Sequence, residues 1–391
     1  MSTLLERFDA KGPKKILALD GGGIRGALTL GYLKKIETII KAKHPENPKY
    51  RMSDYFDLIG GTSTGAIIAT LLALGKSVDE ITEMYMVLGG KIFKEKRNWW
   101  NPLETMKWLK ANYDYQGLQV ELEKAVGGAD VTLGSDKLKT GLCIVAKRAD
   151  TNSIWPMINH PRGKFYDSVL GRNKDLSLAK VVRASTAAPT YFAPQMMDVT
   201  TGQNAAFIDG GLSMANNPAL TMLMVATFNG FPFHWPMGEE NILMVSVGTG
   251  YSQFKKHAGD IDDATLLTWA ASIPDMLMQD ASWQNRLILQ WLSKSQTAEE
   301  LDMEIGDMKG DVLSGKPLIT YLRYNFLINK DTLNGLKLDE DKLNELGYDK
   351  TFDDEGAKNI VDMAKAKNRE ILYEIGVKAS SSIRPEHFSK F

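Results

Sequence analysis

The sequence predicts an α/β fold with a mostly parallel β-sheet and helices on its faces, and two stretches near the N-terminus carry that reading. The apolar run Lys15 to Leu19 (KILAL) is stopped by Asp20, Gly21, Gly22 and Gly23, and an amphipathic pattern from Ala27 to Ile40 follows at once. The same grammar returns after Tyr55, where FDLIG leads into Gly61-Thr62-Ser63-Thr64-Gly65 and then the apolar stretch AIIATLLALG. Two successive strand, glycine turn and helix units place their strands parallel and their helices over the sheet.

Further β-like runs lie at Thr140 to Ala146, Ala205 to Ile208 and Ile242 to Val247, the last two ending in glycines, so the sheet core is expected to close near Gly250. Between the units, Ser77 to Ala125 reads as helical and polar and is expected to form a cap over the sheet edge. Beyond Gly250 the pattern turns to helices such as Ala264 to Trp291, one β-like segment at Leu318 to Leu327, and an acidic, glycine-punctuated stretch from Leu338 to Glu355. No repeat or long linker divides the chain. The expected organisation is one catalytic domain over residues 14–250, with the cap at about 77–125, and a mainly helical C-terminal elaboration over 251–391 packed on it.

With 391 residues, 43% of them hydrophobic, the chain can fill a sizeable core. Forty-seven basic against 48 acidic side chains leave a net charge of -1, so no global field recruits DNA, RNA or an anionic membrane, and any lipid contact must be local. The single cysteine, Cys143, excludes an intramolecular disulfide and a Cys-rich metal site, which fits a reducing compartment. The first residues, MSTLLERFDAKGPKK, lack the apolar run of an export signal. Ala66 to Leu74, the longest apolar stretch, has half the roughly 20 residues of a spanning helix. A cytoplasmic location is expected.

Ser63 stands in a Gly-x-Ser-x-Gly pentapeptide at a strand-to-helix turn, where Gly61 and Gly65 leave room for a strained residue that thrusts its hydroxyl outward. The helix that follows points free N–H groups at the same place, which favours a developing negative charge. A serine needs a base. His44, His234, His257 and His387 lie in polar or Pro-rich surroundings with no strand end before them, and His160 (NHPRG) has no recognisable partner. A carboxylate in a pocket of low dielectric can do the same work. Asp209 is the candidate: it ends the run AAFI and is followed by Gly210 and Gly211, although the same residues also read as a simple turn.

Acyl transfer also requires donors for the oxygen of a tetrahedral intermediate. Gly21, Gly22 and Gly23 offer successive N–H groups without side chains at a helix start, with the charge of Arg25 beside them. Gly21, Gly23 and Gly26 also spell a dinucleotide fingerprint, but that reading expects an acidic residue at the end of a second strand. Glu37 falls inside the helical pattern and Glu46 in a loop, so neither suits it.

DGGGIRG near the N-terminus, GTSTG some forty residues later and DGG on a later strand together resemble the patatin-like phospholipase family, in the family's order. ASTAAPTYF, with Pro189, and the strand ending in Gly248-Thr249-Gly250 are similar to it too. The resemblance covers residues 14 to 250. It implies a three-layer α/β/α sandwich around a mostly parallel sheet, and a Ser-Asp dyad with Ser63 as nucleophile and Asp209 as base. It also implies an oxyanion region at Gly21, Gly22, Gly23 and Arg25, and neither a metal nor another cofactor. The substrate implied is a phospholipid or other acyl-ester lipid, cleaved as by a phospholipase A or lysophospholipase. Bacterial members of this length have a C-terminal Tyr-x-Arg-Tyr-Asn run, here Tyr321 to Asn325, and some are antiphage effectors. In those, a cyclic nucleotide drives activation and homo-oligomerisation, and the inner membrane is attacked peripherally.

The aromatic and basic knot KIFKEKRNWW, with Trp99 and Trp100, suits a lipid interface and equally suits helix packing within the cap. The alternatives to a lipid acyl hydrolase are a non-lipid carboxylesterase, a nucleotide-binding oxidoreductase using the Gly21 to Gly26 turn, and a storage protein on the same scaffold.

Overall fold

The structure is a computed structural model that describes residues 2–92, 115–189, 191–252 and 265–391. Nine strands form one sheet: β1 Lys14–Leu19, β2 Leu58–Thr62, β3 Gly141–Arg148, β4 Ser153–Ile158, β5 Gln195–Thr200, β6 Gln203–Asp209, β7 Ile242–Val247, β8 Ser293–Lys294 and β9 Ile319–Tyr324. Their order is β5-β6-β3-β2-β1-β7-β9-β8, with β4 also paired to β3. The middle of the sheet, from β3 through β2, β1 and β7 to β9, is parallel, whereas β4, β5 and β6 pair antiparallel.

Among the helices up to residue 252 are α1 Ser2–Asp9, α2 Gly26–Ala42, α3 Met52–Tyr55, α4 Thr64–Ala73, α5 Val78–Ile92, α6 Tyr115–Val126, α7 Leu178–Ser185 and α8 Ala219–Thr227. Side chains of successive strand residues point to opposite faces of the sheet. The strands therefore feed two separate cores. Leu17, Leu19, Ile59, Leu142, Ile144, Leu243, Val245 and Leu322 pack with α2, α4 and α7 on one face. Ile16, Ala18, Leu58, Cys143, Val145, Met244 and Tyr321 pack with α1 and α8 on the other. This is the expected three-layer sandwich, and strands buried on both faces explain runs such as KILAL and ILMVSV, apolar without alternation.

The sheet does not close near Gly250. β9 pairs parallel to β7 along Leu243 to Val247, so the segment after residue 250 supplies an integral strand and not only helices outside the core. A C-terminal helix, Arg369–Ala379, lies on α2 with backbones in close approach. A Cβ at Gly376 would strike the Leu28 carbonyl, and one at Gly31 would come 2.5 Å from the Gly376 carbonyl carbon. Two helices can approach this closely only through glycines.

Filling that crossing should cost stability. Gly376→Val is expected to destabilise the fold by about 1–3 kcal/mol through overpacking, read as a fall of a few degrees in Tm. An unchanged melting curve would mean that the two helices are not in backbone contact.

Candidate active site

β2 ends at Thr62, whose hydroxyl donates to the Ala215 carbonyl at 2.6 Å, and α4 begins at Thr64. Ser63 makes the corner between them with φ 54° and ψ -124°, a backbone region that costs a non-glycine residue about 1–3 kcal/mol. Several contacts hold it there. Its N–H donates to Ser185 Oγ at 2.9 Å, and that hydroxyl donates to the Val145 carbonyl at 2.6 Å on β3. A Cβ at Gly61 would collide with the Gly65 backbone, and one at Gly65 with the Leu19 carbonyl on β1, so both flanking glycines are required by the closeness of the chain.

The strand register brings Asp209 to this corner. β2 pairs with β3 up to Thr62 opposite Val145, and β6 takes over the same side of β3 with Asp209 opposite Ala146, the next residue. The residue after Thr62 and the last residue of β6 therefore meet. Ser63 Oγ donates to Asp209 Oδ2 at 2.6 Å, and the Gly211 N–H donates to Oδ1 at 2.7 Å. Gly210 has no room for a side chain against the Val145 carbonyl.

Asp209 is only 6% exposed, and burial raises its pKa to about 6. The bonds from Ser63 and Gly211 and the charge of Arg183 act in the opposite direction. Arg183 lies buried on α7, donates from Nη2 to the Ala193 carbonyl at 2.9 Å and faces the Phe192 ring.

The turn from Asp20 to Gly26 packs on Ser63. A Cβ at Gly21 would lie 3.1 Å from Ser63 Cβ, and one at Gly26 would lie 2.5 Å from Thr64 Oγ1. Gly23 adopts φ +57°, and its carbonyl accepts from Tyr85 Oη at 2.6 Å, which is also hydrogen-bonded to Thr64 Oγ1 at 2.7 Å. The turn is thereby tied to the residue next to Ser63. Gly21 departs from expectation as an oxyanion donor, because its N–H is spent on the Asn216 carbonyl at 3.0 Å. Among the described residues, the N–H groups of Gly22 and Gly23 have no protein acceptor. Arg25 donates its own N–H back to the Gly22 carbonyl at 3.2 Å and opens α2.

None of the described histidines bonds to Ser63 or Asp209. His160 is buried between Phe8 and Phe233, and burial lowers its pKa to about 4. His387 Nδ1 faces Tyr324 Oη at 2.8 Å, His44 faces Glu46, and His234 is exposed. His257, Trp99 and Trp100 lie outside the described residues. Cys143 is buried in the sheet, where its thiol is pushed up to about 12, so it offers no competing nucleophile. Glu37, the acidic residue nearest to a dinucleotide fingerprint, pairs with Lys41 and accepts the Val78 N–H at the start of α5. Sequence reasoning did not find Ser185, Tyr85, Arg183 or Asn216. Ser185 was in view within ASTAAPTYF, but its role depends on packing against β3.

Comparison with known proteins places the chain among relatives. The chain is 31% identical over 242 residues to a cGAMP-activated phospholipase of Escherichia coli (strain TW11681), a match covering 60% of this chain and 62% of that protein. It is 32% identical over 256 residues to a cUMP-AMP-activated phospholipase of Escherichia coli, covering 64% and 68%. It is 28% identical over 260 residues to Patatin group J-1 of Solanum tuberosum, covering 62% of each chain. The matches thus take in less than two thirds of the first relative's length. The description "Patatin-like phospholipase" belongs to the family profile that matches residues 17–223, more than half of the 391 residues and including all three glycine turns. The chain is a member of the patatin-like phospholipase family.

Proposed function

We propose that the protein is a lipid acyl hydrolase that cleaves fatty-acyl esters of phospholipids through Ser63 and Asp209. The observation that carries the reading is the 2.6 Å hydrogen bond from a strained Ser63 to a buried carboxylate at the C-terminal ends of parallel strands. Asp209 Oδ2 takes the Ser63 proton as Oγ attacks the ester carbonyl carbon, and the N–H groups of Gly22 and Gly23 receive the negative oxygen. The proton then passes to the leaving alkoxide, which departs as lysophospholipid and leaves an acyl-serine. Water attacks the acyl-serine while Asp209 takes its proton, and the return of that proton to Ser63 Oγ releases a free fatty acid.

A carboxylate with a pKa of about 6 is ionised at neutral pH yet more basic than an exposed aspartate, as this role requires. The reading treats residues 77–125 as the cap over this site, with Trp99 and Trp100 touching the membrane surface peripherally. Two relatives are named as activated by cGAMP and by cUMP-AMP. By that kinship, a cyclic dinucleotide activates this chain and drives its self-association, and the target is the inner face of the cell's own membrane.

A serine-directed fluorophosphonate should label the wild type and leave Ser63→Ala unlabelled. Mass spectrometry of mixed phospholipid vesicles should show free fatty acid and lysophospholipid only with the wild type; equal labelling of the two proteins removes Ser63 from the mechanism. Asp209→Asn should lose about 10²–10⁴-fold in kcat, the usual worth of a general base.

Asp209 acts deprotonated, so kcat/KM should fall about tenfold per pH unit below a bend near pH 6. A flat profile from pH 5 to 8 would exclude it as the base.

Phospholipid hydrolysis measured with and without cGAMP and cUMP-AMP should rise with at least one of them. An unchanged rate with both would confine nucleotide activation to the relatives.

A further inference from the structure

The C-terminal third reaches back to the turn that faces Ser63. Arg323, on β9, is 3% exposed, and its guanidinium grips both carboxylate oxygens of Asp20, at 2.9 Å from Nη1 and 2.5 Å from Nη2. The partners are 303 positions apart in the chain. Nη1 also donates to Ser246 Oγ at 2.6 Å, and Ser246 Oγ lies 3.3 Å from Asn217 Oδ1, next to the Asn216 whose carbonyl accepts the Gly21 N–H. Asp20 itself is 5% exposed and stands one residue before Gly21.

The far side of the turn is held from the same part of the chain. The Ile24 N–H donates to the Met363 carbonyl at 3.0 Å, and a Cβ at Gly23 would lie 2.7 Å from that oxygen. Three glycines in succession have no side chains with which to fix their own direction. An oxyanion donor is effective only when aimed at the place where charge develops. Asn216, Thr249 and Tyr85 hold the backbone of Gly21 and Gly23, and both flanks of the turn are fixed from beyond residue 250.

The ion pair also has an electrostatic consequence. A carboxylate so close to the Gly22 and Gly23 N–H groups would repel a developing oxyanion in a region of low dielectric. The bidentate guanidinium opposite cancels that charge, and its planar fork holds the carboxylate in one orientation.

We propose that Arg323 is a positioning residue for ester hydrolysis: through Asp20 it aims the Gly22 and Gly23 N–H groups at the oxygen developing on the substrate of Ser63. The inference rests on the reading of Ser63 as nucleophile and deepens it by giving the C-terminal third a place in the site.

The test compares the wild type with Arg323→Lys, Arg323→Met and Asp20→Asn in the full chain, assayed with and without cGAMP and cUMP-AMP. Four quantities are read: kcat, KM, the rate of fluorophosphonate labelling, and the melting curve. Arg323→Lys keeps a charge but loses the fork. It should stay folded with KM within about twofold while kcat and labelling fall about 10–100-fold, part of the 10²–10³-fold that an oxyanion donor is worth. Arg323→Met should fall further. Should the Arg323 variants fail to fold, the nearly isosteric Asp20→Asn carries the test, and a folded protein with lowered kcat and unchanged KM is expected.

Wild-type kcat in a folded Arg323→Lys or Asp20→Asn overturns the proposal. So does a loss of kcat that only follows the loss of folded protein. A wild type that neither labels at Ser63 nor turns over lipid overturns the hydrolase reading itself, and this proposal with it.

Discussion

Strand β3 has eight residues and β2 has five, and the residues of β3 beyond Val145 still need hydrogen-bond partners on that side. Unpaired backbone groups in a buried sheet are costly, so another strand must fill the gap. β6 fills it, running antiparallel with Asp209 opposite Ala146. The meeting of Ser63 with Asp209 is therefore a matter of register. A slip of one residue in the pairing of β6 with β3 would turn the carboxylate to the other face of the sheet. The elbow at Ser63, the glycine at 210 and the Ser185 bridge to Val145 are all built around that junction.

The junction also sets the electrostatics. Asp209 is buried because β6 ends inside the protein, and burial raises its proton affinity. Its two hydrogen bonds and the nearby Arg183 moderate the rise, leaving a group that is ionised at neutral pH without being a weak base. The turn from Gly21 to Gly23 is arranged on a different principle. Its carbonyls are taken by Tyr85 and Thr249 and its first glycine N–H by Asn216, and among the described residues the N–H groups of Gly22 and Gly23 have no acceptor. Satisfying the other polar groups of the turn leaves those two donors available for the role proposed for them.

The parts legible in the sequence are those where local pattern and local structure coincide. KILAL before three glycines and FDLIG before GTSTG declare their strands, their turns and the helices that follow. Asp209 was legible as a strand end, but its partnership with Ser63 came from family resemblance, because nothing local to AAFIDGG encodes the register with β3. Leu318 to Leu327 read as a strand without a home, since parallel pairing with β7 is non-local. Arg323 was in view within the Tyr321 to Asn325 run but its partner was not, and Met363 left no signal, for the same reason: each acts on residues some 300 or more positions away. After β9 come three short helices opened by Asn329, Asp339 and Asp353 caps, and such punctuation reveals boundaries but not destinations.

The separation between Asp20 and Arg323 also imposes an order of events during synthesis. A chain that has grown just past Asp209 contains both Ser63 and Asp209, but β9 is still more than a hundred residues from being made. At ribosomal speeds of roughly 5–20 residues per second, that interval lasts on the order of ten seconds. Throughout it Asp20, at the head of the glycine turn, lacks its buried counter-charge, and the edge of β7 lies open where β9 will pair. On the proposed reading, in which the target is the membrane of the cell that makes the protein, the nascent chain is held short of a finished site by the arrangement of its own strands.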